Sequence, residues 1–203
     1  MISLTGARLV NWHYFRDTTL RIGKRTLISG DNGMGKSTIV DAIQYALAAD
    51  LRKARFNQAA GDRRGGRDLL GYVRCKIGSD STEYLRGDTV SHVMLRFDAN
   101  GQSFSAAVCV EAYADGRATE RFWIGQGVDI DSVPVRDDKG RSLNWRQFRD
   151  RLEGAQLEFH DSKREYLRGL TSRLGVFRRM SEYNPYLEAF TRSVSFTPLV
   201  SVD

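Results

Sequence analysis

Apolar residues recur along this chain with two periods, and the changes between them mark its elements. Ile2, Leu4 and Leu9 are spaced along residues 2–10, and Leu20-Arg21-Ile22 alternates within 18–29, which predicts strands in both stretches. Gly23-Lys24 offers a turn ahead of the strand-like run Arg25-Thr26-Leu27-Ile28-Ser29. A helical period takes over at Ile39, Ala42, Ile43, Ala46 and Leu47, one apolar stripe of a helix running from about Lys36 to Ala49. Beyond Asp50 the pattern lapses. Gly61, Gly65 and Gly66 stand among arginines there, as expected of a long, mobile, basic connection.

Alternation returns in the middle third. Val93, Leu95 and Phe97 alternate with Met94 and Arg96, and Asn100-Gly101 is a hairpin signal. Phe104, Ala106, Val108 and Val110 alternate again, and Asp115-Gly116 marks a turn before Phe122-Trp123-Ile124, so an antiparallel meander is expected. The last third is helical in pattern. Asn144 precedes Trp145, Phe148 and Leu152; Ser162 and Glu165 form a capping box ahead of Tyr166, Leu170 and Leu174, with Gly175 as a stop; Asn184-Pro185 opens a third helix bearing Leu187, Phe190 and Val194.

Between the strand-like run at 25–29 and the first helix lies Gly30-Asp31-Asn32-Gly33-Met34-Gly35-Lys36-Ser37-Thr38, which matches GxxxxGK[ST] at every fixed position. Strand, glycine-rich loop and helix are the setting in which this spacing cradles phosphate. Glycines admit positive φ and leave room for bare N–H groups to approach phosphate oxygens. The start of the helix adds its positive end. Lys36 brings a compact charge for the β- and γ-phosphates, and Ser37 is the expected Mg²⁺ ligand. Asn32, Gly33, Met34, Gly35 and Thr38 complete the nucleotide-contacting set. Upstream, Asn11-Trp12-His13-Tyr14-Phe15 is more aromatic than a loop requires. Trp12 and Phe15 are assigned to core packing, and His13 is the exposed candidate for a phosphate or ribose contact.

Composition narrows the field. The 203 residues carry a formal charge of +6, unevenly placed. Leu51 to Asp68 holds Arg52, Lys53, Arg55, Arg63, Arg64 and Arg67 against Asp62 and Asp68, and 141–179 holds ten Lys/Arg against five acids. Either patch could serve a polyanion or simply a solvated surface. Cys75 and Cys109 are isolated, without metal-ligand spacing, which points to idle thiols. The first apolar stretch, 9–15, is interrupted by Asn11 and His13, so no signal peptide is expected; no run is long enough to cross a bilayer, and a cytoplasmic location follows.

A phosphate loop alone does not hydrolyse ATP efficiently; a carboxylate must hold magnesium and another group must orient water. No apolar strand ending in such an Asp stands out: 93–98 is broken by Arg96, 108–111 lacks the Asp, and Leu199-Val200-Ser201-Val202-Asp203 has only a rough likeness to one. A serine–glycine signature is also missing from the sequence.

The stretches LISGDNGMGKSTIVDAIQYAL, RKARFNQAAGD, RDLLGYVRCK and RRMSEYNPYLEAFTRSVSFTPL resemble the N-terminal half of an SMC-like ATPase head of the MukB/MksB type, nearest to the JetC-type subunits of Wadjet plasmid-defence systems. That resemblance implies an α/β fold, a P-loop ABC/SMC-type head whose N-terminal half carries an antiparallel β lobe followed by a helical lobe. Residues 1–60 would form the nucleotide core, 61–140 the basic connection and β lobe, and 141–203 the helical lobe leading toward a coiled coil. It also implies ATP and Mg²⁺ as cofactors, a C-terminal half bringing the signature and magnesium carboxylate, a second head, kleisin-like and winged-helix subunits, a separate nuclease, and nucleoid DNA bound without sequence reading. Arg55 falls where such heads carry an arginine near nucleotide and DNA. His13 and Tyr14 fall where relatives place a basic residue and a serine. The glutamine that reaches Mg²⁺ in relatives would fall near Ser195-Phe196-Thr197, where none occurs, and Gln126 reads as a turn residue. A DNA-repair head of the SbcC/RecF kind shares the loop and early strands, and a P-loop small-molecule kinase is the third alternative.

Overall fold

A computed structural model describes residues 2–49, 68–78, 82–152 and 156–175. Its centre is a six-stranded antiparallel sheet built from β1 (Ile2–Trp12), β2 (Phe15–Arg21), β3 (Thr89–Ala99), β4 (Gln102–Ala112), β5 (Ala118–Gln126) and β6 (Leu157–His160), in the order β2-β1-β3-β4-β5-β6. The expected meander is β3-β4-β5. Its first turn, Asn100-Gly101, has φ of 55° and 86°, the two positive angles that a tight hairpin matching strand twist requires, and pairs Ala99 with Gln102. The N-terminal strands join the same sheet through β1 and β3, so segments divided at residues 60 and 140 all contribute to one sheet.

Period-two alternation sorts the side chains onto two faces. Leu9, Val93, Leu95, Phe104, Ala106, Val108, Phe122 and Ile124 lie in a core shared with α1 (Lys36–Ala48), α2 (Leu69–Val73) and α4 (Lys163–Leu174). Val10, Met94, Ala107, Cys109 and Trp123 face the other way, under Ile130, Val133, Val135, Leu143 and α3 (Trp145–Arg151). The second cover is held by Arg8, which is buried yet fully engaged: it grips Asp17 through Nε and Nη2, and Nη1 donates to the carbonyls of Ile130 at 2.7 Å and Val133 at 2.9 Å. A buried guanidinium is tolerated only when paired and hydrogen-bonded in this way.

Helix ends follow their caps. Asn144 and Gln147 make the reciprocal capping box of α3. At α4 the Ser162 side chain accepts from the Glu165 amide, and Gly175 ends the helix at φ 62°. Two elements escaped the sequence pattern: α2, a single turn capped by Asp68, and β6, too short to show a period.

One expected strand does not form. Arg25–Ser29 joins no ladder, because the chain leaves the sheet edge after Ile22, whose N–H still reaches the Thr5 carbonyl at 3.0 Å, and turns at Gly23, whose N–H donates to Thr26 Oγ1. Strand propensity needs a neighbour to bond to. None is present there among the described residues, and Leu27 is 87% exposed. The basic connection with Arg52, Lys53, Arg55, Arg63, Arg64 and Arg67, the helix opening at Asn184-Pro185, and the stretches at 195–197 and 199–203 lie outside the described residues.

Candidate functional site

The glycine-rich loop turns through three positive φ angles, 150° at Gly30, 85° at Gly33 and 90° at Gly35, and delivers the chain directly into α1. Only glycine adopts such a series without strain. Gly35 is the N-cap, and no side chain caps the helix, which leaves the amides of its first turn available to an anion. Lys36 Nζ bridges back across the loop, donating to the carbonyls of Gly30 at 2.6 Å and Asp31 at 2.8 Å. An ammonium has three donors. Two hold the loop closed, and the third, with the full charge, remains for a phosphate.

The two inner glycines meet different surroundings. A Cβ at Gly33 would have nothing within 4 Å, so that side of the loop is open. At Gly35 a Cβ would lie 2.9 Å from Phe15 Cζ, so that side is filled by protein. Asn32 and Met34 are on the surface, Met34 at 70% exposure, while Ser37 is half-buried on the first turn of the helix.

Behind the loop, α1 is buried nearly all round rather than along one stripe. Besides Ile39, Ala42 and Ala46, it buries Thr38, Asp41, Gln44 and Tyr45. Thr38, Asp41 and Tyr45 are accommodated by an aromatic brace, whereas the buried Gln44 Oε1 has no hydrogen-bond partner among the described residues. Trp12 lies stacked between Tyr72, with centroids 4.8 Å apart, and Tyr45, at 5.3 Å, and its indole N–H donates to the Thr38 carbonyl at 3.2 Å. The Tyr72 hydroxyl donates to Asp41 at 2.7 Å, that of Tyr45 to Glu120 at 2.6 Å, and that of Tyr166 to the Ala46 carbonyl at 2.8 Å. Burial first, then the Glu120 carboxylate, pushes the Tyr45 hydroxyl well above its usual value, so it remains a donor. Assignment of Trp12 to packing therefore holds, but its partners were not legible: Tyr45 and Tyr72 lie outside the apolar stripe used to place the helix.

The exposure expected for His13 is corrected. His13 is 3% exposed at the β1–β2 turn, while Tyr14 is 61% exposed. With φ of 48°, His13 sends its N–H to the Tyr72 carbonyl at 2.7 Å and packs its ring edgewise on Tyr14 at 4.3 Å. The backbone bond turns the imidazole inward and leaves Tyr14 as the residue in solvent. Gln126 is the last residue of β5, exposed beside Gly127.

The cations of the helical segment are largely engaged. Arg141 pairs with Asp137 at 2.7 Å, Lys163 with Glu120 at 3.1 Å, Arg151 with Asp138 at 3.9 Å and Arg173 with Glu158, while Arg149 lies over the Phe159 ring. Arg146, Arg164 and Arg168 are exposed and carry no ion pair among the described residues. Cys75 and Cys109 are buried and form no disulfide among the described residues. No cluster of three or more His, Cys, Asp or Glu side chains suited to a metal occurs among the described residues, and no helix there is long and apolar enough to cross a membrane.

Residues 4–63 match a family model described as the P-loop containing region of AAA domain. The chain carries a P-loop nucleotide-binding region. The matched span takes in most of β1 and all of β2, the glycine loop and α1, so Trp12, Phe15 and Tyr45 fall within it together with the phosphate cradle, while Tyr72 of the brace lies beyond it. Such a region implies a nucleotide, ordinarily with Mg²⁺, and the residues fit one: the Gly33 side is open, Lys36 retains a donor, and Ser37 presents a hydroxyl where α1 begins.

Proposed function

We propose that this chain is the ATP-binding N-terminal half of an SMC-like head of the MukB/MksB type, working in a motor that moves DNA and, in its JetC-like form, defends against plasmids. The observation that carries the nucleotide reading is the loop closed by Lys36 over its own Gly30 and Asp31 carbonyls, with the uncapped start of α1 beside it. Lys36 and the loop amides would hold the phosphates, the Trp12 indole N–H holds the Thr38 carbonyl just behind them, and Ser37 would meet Mg²⁺, which supplies positive charge to the phosphate oxygens.

The half-site reading draws support from the unladdered run at Arg25–Ser29. Strand-forming residues lead into the loop without a ladder partner among the described residues, with Leu27 in solvent, and a strand from a C-terminal half-head would cover them. That half would bring the magnesium carboxylate, and a second head the signature contacts. Kleisin-like and winged-helix subunits, a separate nuclease and nucleoid DNA are the partners this reading entails. Arg55 and His13 stay in it as residues near the nucleotide, His13 acting from a buried position.

The test is ATP turnover by the chain alone and after reconstitution with the proposed C-terminal half-head. Slow turnover alone, a large rise on reconstitution and loss of that rise in Lys36→Ala are expected. Equal turnover with and without the second half would contradict the composite site.

A further inference from the structure

We infer that Phe15 is a positioning residue of the phosphate loop: its ring backs Gly35 and thereby sets the left-handed turn from which α1 and Lys36 project. This rests on the nucleotide reading above. Gly35 has φ of 90°, and a Cβ there would stand 2.9 Å from Cζ and 3.1 Å from Cε2 of Phe15, distances at which one group must move. Gly33, by contrast, has open space where its Cβ would be. The two glycines thus answer different demands. Gly33 leaves room for a ligand, and Gly35 admits the Phe15 ring.

Phe15 is itself held in place. It pairs with Trp12 across the turn of the β1–β2 hairpin, and Trp12 is fixed by its stack between Tyr45 and Tyr72 and by its bond to the Thr38 carbonyl. One hairpin therefore touches the motif at both ends of the step from loop to helix, Phe15 at Gly35 and Trp12 at Thr38. Removing the ring leaves the loop attached to its helix but without its rear wall, so the cradle loses the preorganisation that favours phosphate.

Phe97 provides the control. It packs in the same core, stacked on Phe104 at 4.8 Å, but pairs with Leu4, toward the far end of β1 from the loop. Equilibrium binding of a fluorescent ATP analogue, with inorganic triphosphate as competitor, is measured on the full-length protein and on Phe15→Ala, Phe15→Leu and Phe97→Leu at a temperature where all are folded. Phe15→Ala is expected to weaken both ligands by about tenfold, the effect of losing roughly 1.4 kcal/mol of binding. Phe15→Leu should recover most of it, and Phe97→Leu should bind as the wild type does. Binding by Phe15→Ala within about twofold of wild type, or an equal loss in Phe97→Leu, would overturn the inference, since distant core sites act additively on stability rather than on the cradle. Wild-type protein that binds neither ligand would overturn the nucleotide reading itself.

Discussion

His92 shows how far a single buried group can set the acid limit of this molecule. Its ring is fully buried on β3, tilted against Phe148 at 4.9 Å and facing Cys109 Sγ at 4.0 Å, and burial, with the Arg8 charge second, lowers its pKa from 6.5 to about 3. The folded state therefore keeps the ring neutral where the unfolded chain takes up a proton. Stability contributed in this way is intact above pH 6.5 and falls as pH drops toward 3, by an amount on the order of 5 kcal/mol over the whole window. Thermal unfolding followed from pH 7.5 to pH 4 should show a falling midpoint, and His92→Gln should flatten that slope. An unchanged slope would assign the acid sensitivity to carboxylates instead. The buried thiols give a second expectation at this scale. Burial, reinforced by Glu111, pushes the Cys109 thiol well above its usual value, so Cys75 and Cys109 should resist a thiol reagent until the protein unfolds.

At the scale of elements, α1 is the piece on which the site depends. Its stripe of Ile39, Ala42, Ile43, Ala46 and Leu47 was legible because helical period shows wherever one face is apolar. Its burial on other sides was not, because Asp41 and Tyr45 read as surface residues until Trp12, Tyr72 and Glu120 are brought against them from other parts of the chain. Tyr72→Phe removes the hydroxyl that donates to buried Asp41 and should cost about 1–3 kcal/mol by chemical denaturation, whereas a surface change such as Arg146→Ala should cost little. The hairpins of the meander were readable from local turn chemistry at Asn100-Gly101 and Asp115-Gly116. The expected strand at Arg25–Ser29 shows the opposite case: its residues favour extension, but a ladder is a property of two segments, and only one is visible in this stretch of sequence.

For the whole molecule, the six-stranded sheet ties the N-terminal hairpin to the meander, and cover on both faces leaves the glycine loop beside β2, at one edge. The order of strands beyond the meander could not be read from periodicity, since β1 pairs with β3 across more than seventy intervening residues. Charge was misleading in a similar way. The excess of cations over 141–179 is visible in the sequence, but Arg141, Arg151, Lys163 and Arg173 turn out to have acidic neighbours in space. If the assembled motor holds DNA through this segment, neutralising Arg146, Arg164 and Arg168 together should lower the dependence of binding on salt by about three counterions' worth of slope. An unchanged slope would move the contact elsewhere. The central claim, that the loop at Gly30–Thr38 holds nucleotide phosphates through Lys36, is tested by titrating Mg·ATP into the wild-type chain and into Lys36→Ala. Saturable binding by the wild type, weakened at least about tenfold in the variant, is the expected result; equal binding by the two proteins would contradict it.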